Sequence, residues 1–305
     1  MIRPFIHRRP PRLALRELRD QADYARLLTT AQDELRAERE HERRLLRAGA
    51  DFKVPGYCFV CARKAHFRVD YQSAYVVDGV LTPNWRERLV CPRCGLNARM
   101  RATIHLMHEL LRPPAATRLY LTEQTTPLYR WARGRFPSLV GSEWLGDDVA
   151  LGAANAHGIR NEDLTRLTFP AESFELVVSL DVLEHVPRYR QALEECWRVL
   201  EPGGALVVTC PFRPERPDNL VRAVLRADGT IEHREPPEYH GNPVNRGGGA
   251  LAYYHFGWEL LAQLRTVGFG DVGAYGTWSR EHGYLGRDLL VLVARKPAPR
   301  SRTRD

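Results

Sequence analysis

From residue 118 onward, short continuous apolar runs alternate with segments of helical periodicity. Residues 118–122, 139–142, 174–180, 205–210, 271–277 and 288–294 read as strands. The run FELVVSL at 174–180, in which only Glu175 and Ser179 are polar, reads as a fully buried strand. Residues 127–135, 190–200 and 258–267 read as helices, the last stopped by Gly268. Pro202-Gly203-Gly204 reads as a tight turn into the run at 205–210. Buried strands separated by helices predict a doubly wound, mostly parallel α/β sheet.

The pattern ahead of this body is different. Leu18, Ala22, Ala25, Leu28 and Leu35 recur at helical spacing, which predicts one long helix over 13–48, ended by Gly49. Its stripe is thin. It packs on the body, or pairs with a second copy as a short coiled coil and makes a homodimer. A connecting helix over 101–111 stops at Pro113-Pro114.

Between these helices lie four of the six cysteines. Cys58-x-x-Cys61 and Cys91-x-x-Cys94 are separated by 29 residues. Each pair can turn two sulfurs toward one point, which suits a tetrahedral zinc ion in a ribbon-like module. Pro92 and Gly95 shape the second turn, and the apolar stretch 71–77 supplies a strand. A four-cysteine site is closed, so its metal is expected to be structural. Cys196 and Cys210 lie in apolar surroundings and read as buried thiols.

Charge changes the picture less than its total suggests. The net charge is +8, but residues 1–50 and 295–305 each carry an excess of four positive charges, and the body is neutral. Only Lys53, Lys64 and Lys296 are lysines. A nucleic-acid-binding face would concentrate its charge on the folded body. No secretory or membrane-spanning pattern is evident, and a cytoplasmic location is the expectation. The domain layout reads as a basic tail and long helix over 1–50, the zinc module and connecting helix over 51–112, the main domain over 113–296 and a basic tail over 297–305.

The segment FELVVSLDVLEHVPRYRQALEECWRVLEPGGALVVTCPF orders strand, acidic loop, helix, Pro-Gly-Gly turn and strand. It resembles the class I S-adenosylmethionine (SAM)-dependent methyltransferases, in particular the methyltransferase type 11 group that includes ubiquinone-biosynthesis enzymes. The resemblance covers residues 115–295 and implies a seven-stranded Rossmann-like sheet, SAM as cofactor and methyl transfer as activity. It implies that Glu143 holds the ribose hydroxyls and that Asp163, with Leu164 beside it, meets the adenine amino group. Leu180 and Asp181 end the fourth strand at the switch-point crevice. One position departs from the family. The loop after the first strand, normally glycine-rich, reads Leu121-Thr122-Glu123-Gln124-Thr125-Thr126-Pro127. Thr122, Glu123 and Gln124 are the cofactor-binding candidates there. Either Glu123, Gln124 and Thr125 replace backbone contacts with side-chain ones, or the pocket is altered and binds something else or has lost activity.

Residues 211–257 are too long for a simple connection and are rich in Pro, Gly, His and aromatics, as lids and binding loops often are. His185, His240 and His255 are the candidate catalytic residues. Asp181, Glu184 and His185 share one face of a turn. Some methyltransferases bind a divalent metal through an acidic-x-x-Glu-His motif and a later histidine, and His255 is similar to that later ligand. The plainer alternative is that Glu184 and His185 brace the loop. Three functions remain open: methyl transfer to a small-molecule or sugar-like acceptor, methylation of RNA read by the zinc module, and a non-catalytic binding protein on this fold. Arg93, Arg99 and Arg101 are the feature that would favour RNA.

Overall fold

The computed structural model describes residues 12–299 except 243, 245, 246 and 288. The basic tail at 1–11 and most of that at 297–305 lie outside the described residues. The chain divides into two compact units, each assembled from separated segments. One comprises Met1–Arg16, Ala31–Leu111 and Gly276–Leu289; the other comprises Glu17–Thr30, Arg112–Tyr275 and Leu290–Asp305. Residues 1–50 are thus shared between the units, and 276–289 belong with the cysteine module.

The single helix expected over 13–48 is instead a strand and two helices, Arg16–Leu18, Gln21–Thr30 and Gln32–Leu45. The edge of a sheet recruits the first three residues, which local periodicity cannot foresee. The Gln32–Leu45 helix packs within its own unit, burying Leu35 and Glu38. Arg16 pairs with Glu38, and Glu42 accepts from the Trp278 indole at 2.7 Å and the Gly286 amide at 2.8 Å.

The cysteine module is built on an antiparallel hairpin, Phe52–Cys58 with Arg63–Val69. Alternate residues Ala65, Phe67 and Val69 are buried, the period-2 pattern of a half-covered strand. The strand expected over 71–77 is confined to Tyr75–Val77, which pairs with Val80–Thr82. The Ala98–Leu110 helix follows, capped by Asn97, which accepts from the Met100 amide at 2.9 Å.

The main sheet of the second unit has seven strands among the described residues: β1 (Arg16–Leu18), β2 (Leu119–Leu121), β3 (Val140–Gly141), β4 (Phe174–Leu180), β5 (Leu200–Thr209), β6 (Asp271–Gly276) and β7 (Leu290–Arg295). Their order across the sheet is β1-β6-β7-β5-β4-β2-β3. Pairs β2–β3, β2–β4 and β4–β5 are parallel, whereas β7 runs antiparallel to β5. The sheet is therefore mixed, a correction to the mostly parallel expectation. Apolar runs such as LVLVAR read alike in either direction, so patterning does not reveal strand sense. The Pro-Gly-Gly stretch lies inside β5, and pairing with β4 is irregular between Phe174 and Leu176. A side chain at Gly204 would come within 2.9 Å of the Glu175 carbonyl, so this irregular pairing needs a glycine.

Sheet order reverses at β2, which has β3 on one side and β4 on the other. The crevice beyond the carboxyl ends of β2 and β4 is the usual ligand site of such sheets. Residues 211–257 fold into three short ladders: Leu220–Val221 with Tyr254–His255, Ala223–Leu225 with Ile231–His233, and Tyr239–His240 with Ala250–Leu251. No helix among the described residues is long and apolar enough to cross a membrane.

Candidate functional site

In the second unit the loop after β2 is shaped by side chains where glycines were expected. Thr122 donates through its hydroxyl to Ser179 at 3.0 Å. Oε1 of Glu143 accepts from the Gln124 amide at 2.8 Å, the Thr125 amide at 2.9 Å and the Thr125 hydroxyl at 2.7 Å. The Gln124 side chain reaches the other way. It donates to the Gly158 carbonyl at 2.8 Å and accepts from the Arg160 amide at 2.9 Å. Thr126 then caps the Pro127–Arg133 helix. Glu143 is thereby a structural anchor, with one carboxylate oxygen engaged three times. Close packing also fixes the β3 end, where a side chain at Gly141 would strike the Tyr129 ring at 2.4 Å.

Asp163 folds on itself. Its Oδ1 accepts from the Thr165 amide at 2.8 Å and hydroxyl at 2.7 Å. Leu164 and Leu180 are buried, and so is Glu123. Asp181 stands just beyond β4 with φ of 52°, in the left-handed region, and its carboxylate accepts from the Thr209 hydroxyl at 2.8 Å. Two residues that sequence reasoning missed belong here. Trp144, next to Glu143, leaves 52% of its surface exposed despite its size. Asn161, fully buried, accepts from the Leu145 amide at 2.8 Å and donates to the Gly146 carbonyl at 3.0 Å, tying down the following loop.

The histidines converge on a carboxylate. Glu184 and His185 occupy one 3-10 turn, Leu183–His185, just after β4. His240 comes from the third ladder of the insertion. Ligand atoms of Glu184, His185 and His240 lie within 4.8 Å of one another. Glu184 is fully buried, and among the described residues neither of its carboxylate oxygens has a hydrogen-bond partner. Its Oε1 is 3.4 Å from His240 Nδ1 and 3.7 Å from His185 Nε2. The far nitrogens are committed elsewhere. His185 Nδ1 donates to the Leu251 carbonyl at 2.8 Å, and His240 Nε2 donates to Glu238 at 2.9 Å. Neutral rings would therefore both turn lone pairs toward Glu184. Something positive belongs among these three groups. In the free protein it is a proton, because Glu184 beside Nδ1, with help from Glu238, holds the His240 imidazolium up to about 9.

His255 and Asp181, which the metal-binding alternative would add to Glu184 and His185, do not join this group of three. His255 is buried behind the cluster, 3.1 Å from Glu238, and its Nδ1 accepts from Arg213 at 3.3 Å. Burial lowers its pKa. Glu238, which also pairs with Arg222 at 3.2 Å, links His240 to His255. It sits in a polar, proline-rich stretch without periodicity, so no sequence signal marked it.

In the first unit all four expected cysteines meet. Cys58 and Cys94 sulfurs are 3.9 Å apart, as are those of Cys61 and Cys91, and all lie within 4.8 Å. All are free thiols. Crowding among these thiols pushes Cys58 up and pulls Cys91 down. Cys196 and Cys210 are buried in the other unit as expected, and burial raises Cys196 to about 12.

Comparison with known proteins bears on the second unit. The methyltransferase domain family matches residues 144–208. A "probable S-adenosylmethionine-dependent methyltransferase" of Mycolicibacterium smegmatis is 42% identical over 55 residues, which are 18% of this chain and 21% of that protein. The aligned stretch thus spans about a fifth of that relative's length. Among solved structures, a SAM-dependent methyltransferase from Mesorhizobium loti is 18% identical with a TM-score of 0.41, covering 67% of this chain and 100% of that one. A Burkholderia thailandensis 1,6-didemethyltoxoflavin-N1-methyltransferase, solved with S-adenosylhomocysteine, is 18% identical with a TM-score of 0.35, covering 66% of this chain and 79% of that one.

Proposed function

We propose that this chain transfers a methyl group from S-adenosylmethionine to a small-molecule or sugar-like acceptor. The observation that supports this most is the methyltransferase-domain match across the segment beginning right after Glu143, at the crevice where the sheet order reverses. SAM, when bound, supplies an electrophilic methyl group. Thr122, Glu123, Gln124, Glu143, Asp163, Leu164, Leu180 and Asp181 are the residues proposed to hold it. Glu143 retains a second carboxylate oxygen for a ribose hydroxyl, since the three donors of the preceding loop all address Oε1. His185, His240 and His255 are proposed to serve the acceptor. In-line methyl transfer needs a positioned nucleophile and excluded water more than it needs covalent help.

The test is calorimetric titration of the purified protein with SAM and with S-adenosylhomocysteine, repeated on Glu143→Gln and Asp163→Ala. Micromolar binding weakened by both substitutions supports the reading. Absence of binding to well-folded protein would leave a non-catalytic protein on this fold. RNA binding that falls steeply with salt would move the acceptor to nucleic acid.

The first unit is proposed to hold a structural zinc ion on Cys58, Cys61, Cys91 and Cys94. Tetrahedral zinc with bonds of about 2.3 Å places its sulfurs about 3.8 Å apart, close to the spacing found here. A second reading concerns the histidine cluster. Its buried carboxylate, faced by two histidines each braced at the far nitrogen, also suits a divalent first-row metal with positions left for an acceptor oxygen or nitrogen. Metal analysis of protein in which the four cysteines remain intact separates the two sites by stoichiometry.

A further inference from the structure

Arg101 is completely buried in the first unit, and methyl transfer has no use for it. Among the described residues its guanidinium bonds to backbone carbonyls alone: His282 at 2.6 Å, Gly283 at 3.0 Å and Leu89 at 3.2 Å. Its carbon lies 3.9 Å above the centre of the Phe67 ring. Its Nε is buried without a hydrogen-bond partner. Among the described residues no carboxylate pairs with it. An unpaired cation in such a place is among the costliest arrangements a fold can contain. Carbonyl dipoles and an aromatic face offset part of this. The remainder calls for an anion.

The bonding pattern leads to the cysteine cluster. Leu89 stands two residues before Cys91. His282 lies against the residue before Cys58, with its Nδ1 3.3 Å from the Tyr57 carbonyl. The Tyr57 amide in turn donates to the Glu281 carbonyl at 2.6 Å. Arg101 therefore grips the chain just ahead of the second Cys-x-x-Cys turn and the loop that holds the chain just ahead of the first. The thiols of Cys58, Cys91 and Cys94 are near enough to act on its charge. Four thiolates around one divalent ion leave two negative charges unbalanced. Four neutral thiols leave none.

We propose that Arg101 is the buried counter-cation of an anionic tetrathiolate metal complex, and that its charge sets how tightly the module holds zinc. This rests on the zinc reading above and deepens it. Arg101 is a positioning residue: it touches no ligand sulfur in the hydrogen-bond network, yet it fastens both turns and balances what they carry. It also gives Arg101 an inward, electrostatic role, where sequence reading had offered it as an RNA contact.

Metal analysis of the full-length wild-type protein comes first. Absence of stoichiometric zinc there would overturn the site itself, independently of Arg101. Arg101→Met and Arg101→Lys are then compared by chelator-competition measurement of zinc affinity and by the absorption spectrum of the cobalt-loaded protein. The methionine variant, similar in bulk and uncharged, is expected to lose about 10- to 100-fold in affinity, the usual effect of removing a partner just outside the ligand shell. The lysine variant, which keeps the charge and loses the forked bonds, is expected to recover most of it. Equal loss in both, or wild-type affinity in the methionine variant, would overturn the proposal. Should the methionine variant fail to fold, hydrogen exchange on the wild type decides. Zinc removal is expected to speed exchange of the amides at 280–285, and unchanged exchange there would overturn the proposal.

Discussion

The cysteine site of one unit and the glutamate–histidine cluster of the other solve opposite electrostatic problems. At the first, four groups that become anions crowd together, and the fold buries a lone guanidinium near them. At the second, one buried carboxylate has no hydrogen bond among the described residues, and two histidines whose outer nitrogens are already committed face it. The first arrangement is closed: every ligand is a protein thiol. The second is open, with three ligand-capable groups and room in its valence for a fourth. Closed sites hold a fold together, whereas open ones can bind something that comes and goes.

That contrast breaks most visibly at the cysteines. Cys91→Ser removes one ligand of four, and structural zinc contributes roughly 10–16 kcal/mol of apparent binding free energy in small zinc-folded domains. The variant is expected to lose its zinc and the cooperative melting of the first unit, read by metal analysis and calorimetry. A variant that kept its melting transition would show that the hairpin and its helix stand without metal.

Glu184→Gln tests the open site. Breaking a buried charge pair typically costs about 3–5 kcal/mol when one partner is left stranded. Here the glutamine also removes the charge that keeps His240 protonated. Any metal at the cluster should bind more than about 100-fold more weakly, beyond the loss expected for an outer partner. Methyl transfer should fall with it, while SAM affinity by calorimetry stays near wild type. If SAM affinity fell as steeply as turnover, the carboxylate would belong to the cofactor site, and the separation drawn between the two would fail.

The same contrast explains what could be read in advance. Four cysteines in two tight pairs announce themselves, because each pair is local in sequence and the chemistry follows from residue type. Residues 174–180 were legible for a similar reason, since five apolar residues among seven fit a strand buried along nearly its whole length. The cluster was only half legible. Glu184 and His185 stand in a recognisable segment, but the third member is His240, whereas the metal-binding alternative pointed to His255. Which histidine reaches Glu184 depends on the pairing of Tyr239–His240 with Ala250–Leu251, a register that loop composition does not encode. At the N-terminus the failure was tertiary. Arg16–Leu18 has no strand pattern of its own and becomes a strand because a sheet edge is there to pair with.

Within the cofactor crevice, Glu143→Gln should rank next. The substitution keeps the shape and removes a charge that receives three hydrogen bonds from the loop after β2. Hydrogen bonds to charged groups contribute about 1.5–3 kcal/mol. SAM affinity is expected to drop by about that much, with a smaller drop in melting temperature. An unchanged affinity would mean that the loop holds itself and that Glu143 meets no ribose.

Gln124→Ala is the mildest change and the sharpest probe of the glycine-free loop. Its amide joins the loop to Gly158 and Arg160 by two neutral hydrogen bonds, each worth about 0.5–1.5 kcal/mol. The side chain is partly exposed, so water can replace both partners and the fold should barely register the loss. Cofactor binding is a different matter if the loop takes the place of a glycine-rich one. A glycine loop works by letting backbone approach the ligand, and this loop must instead hold its backbone in position with side chains. Truncating Gln124 should therefore raise the KM for SAM several-fold while turnover at saturation and melting temperature stay close to wild type. A change in turnover without a change in KM would place Gln124 with the acceptor and the histidine cluster, outside the cofactor's reach.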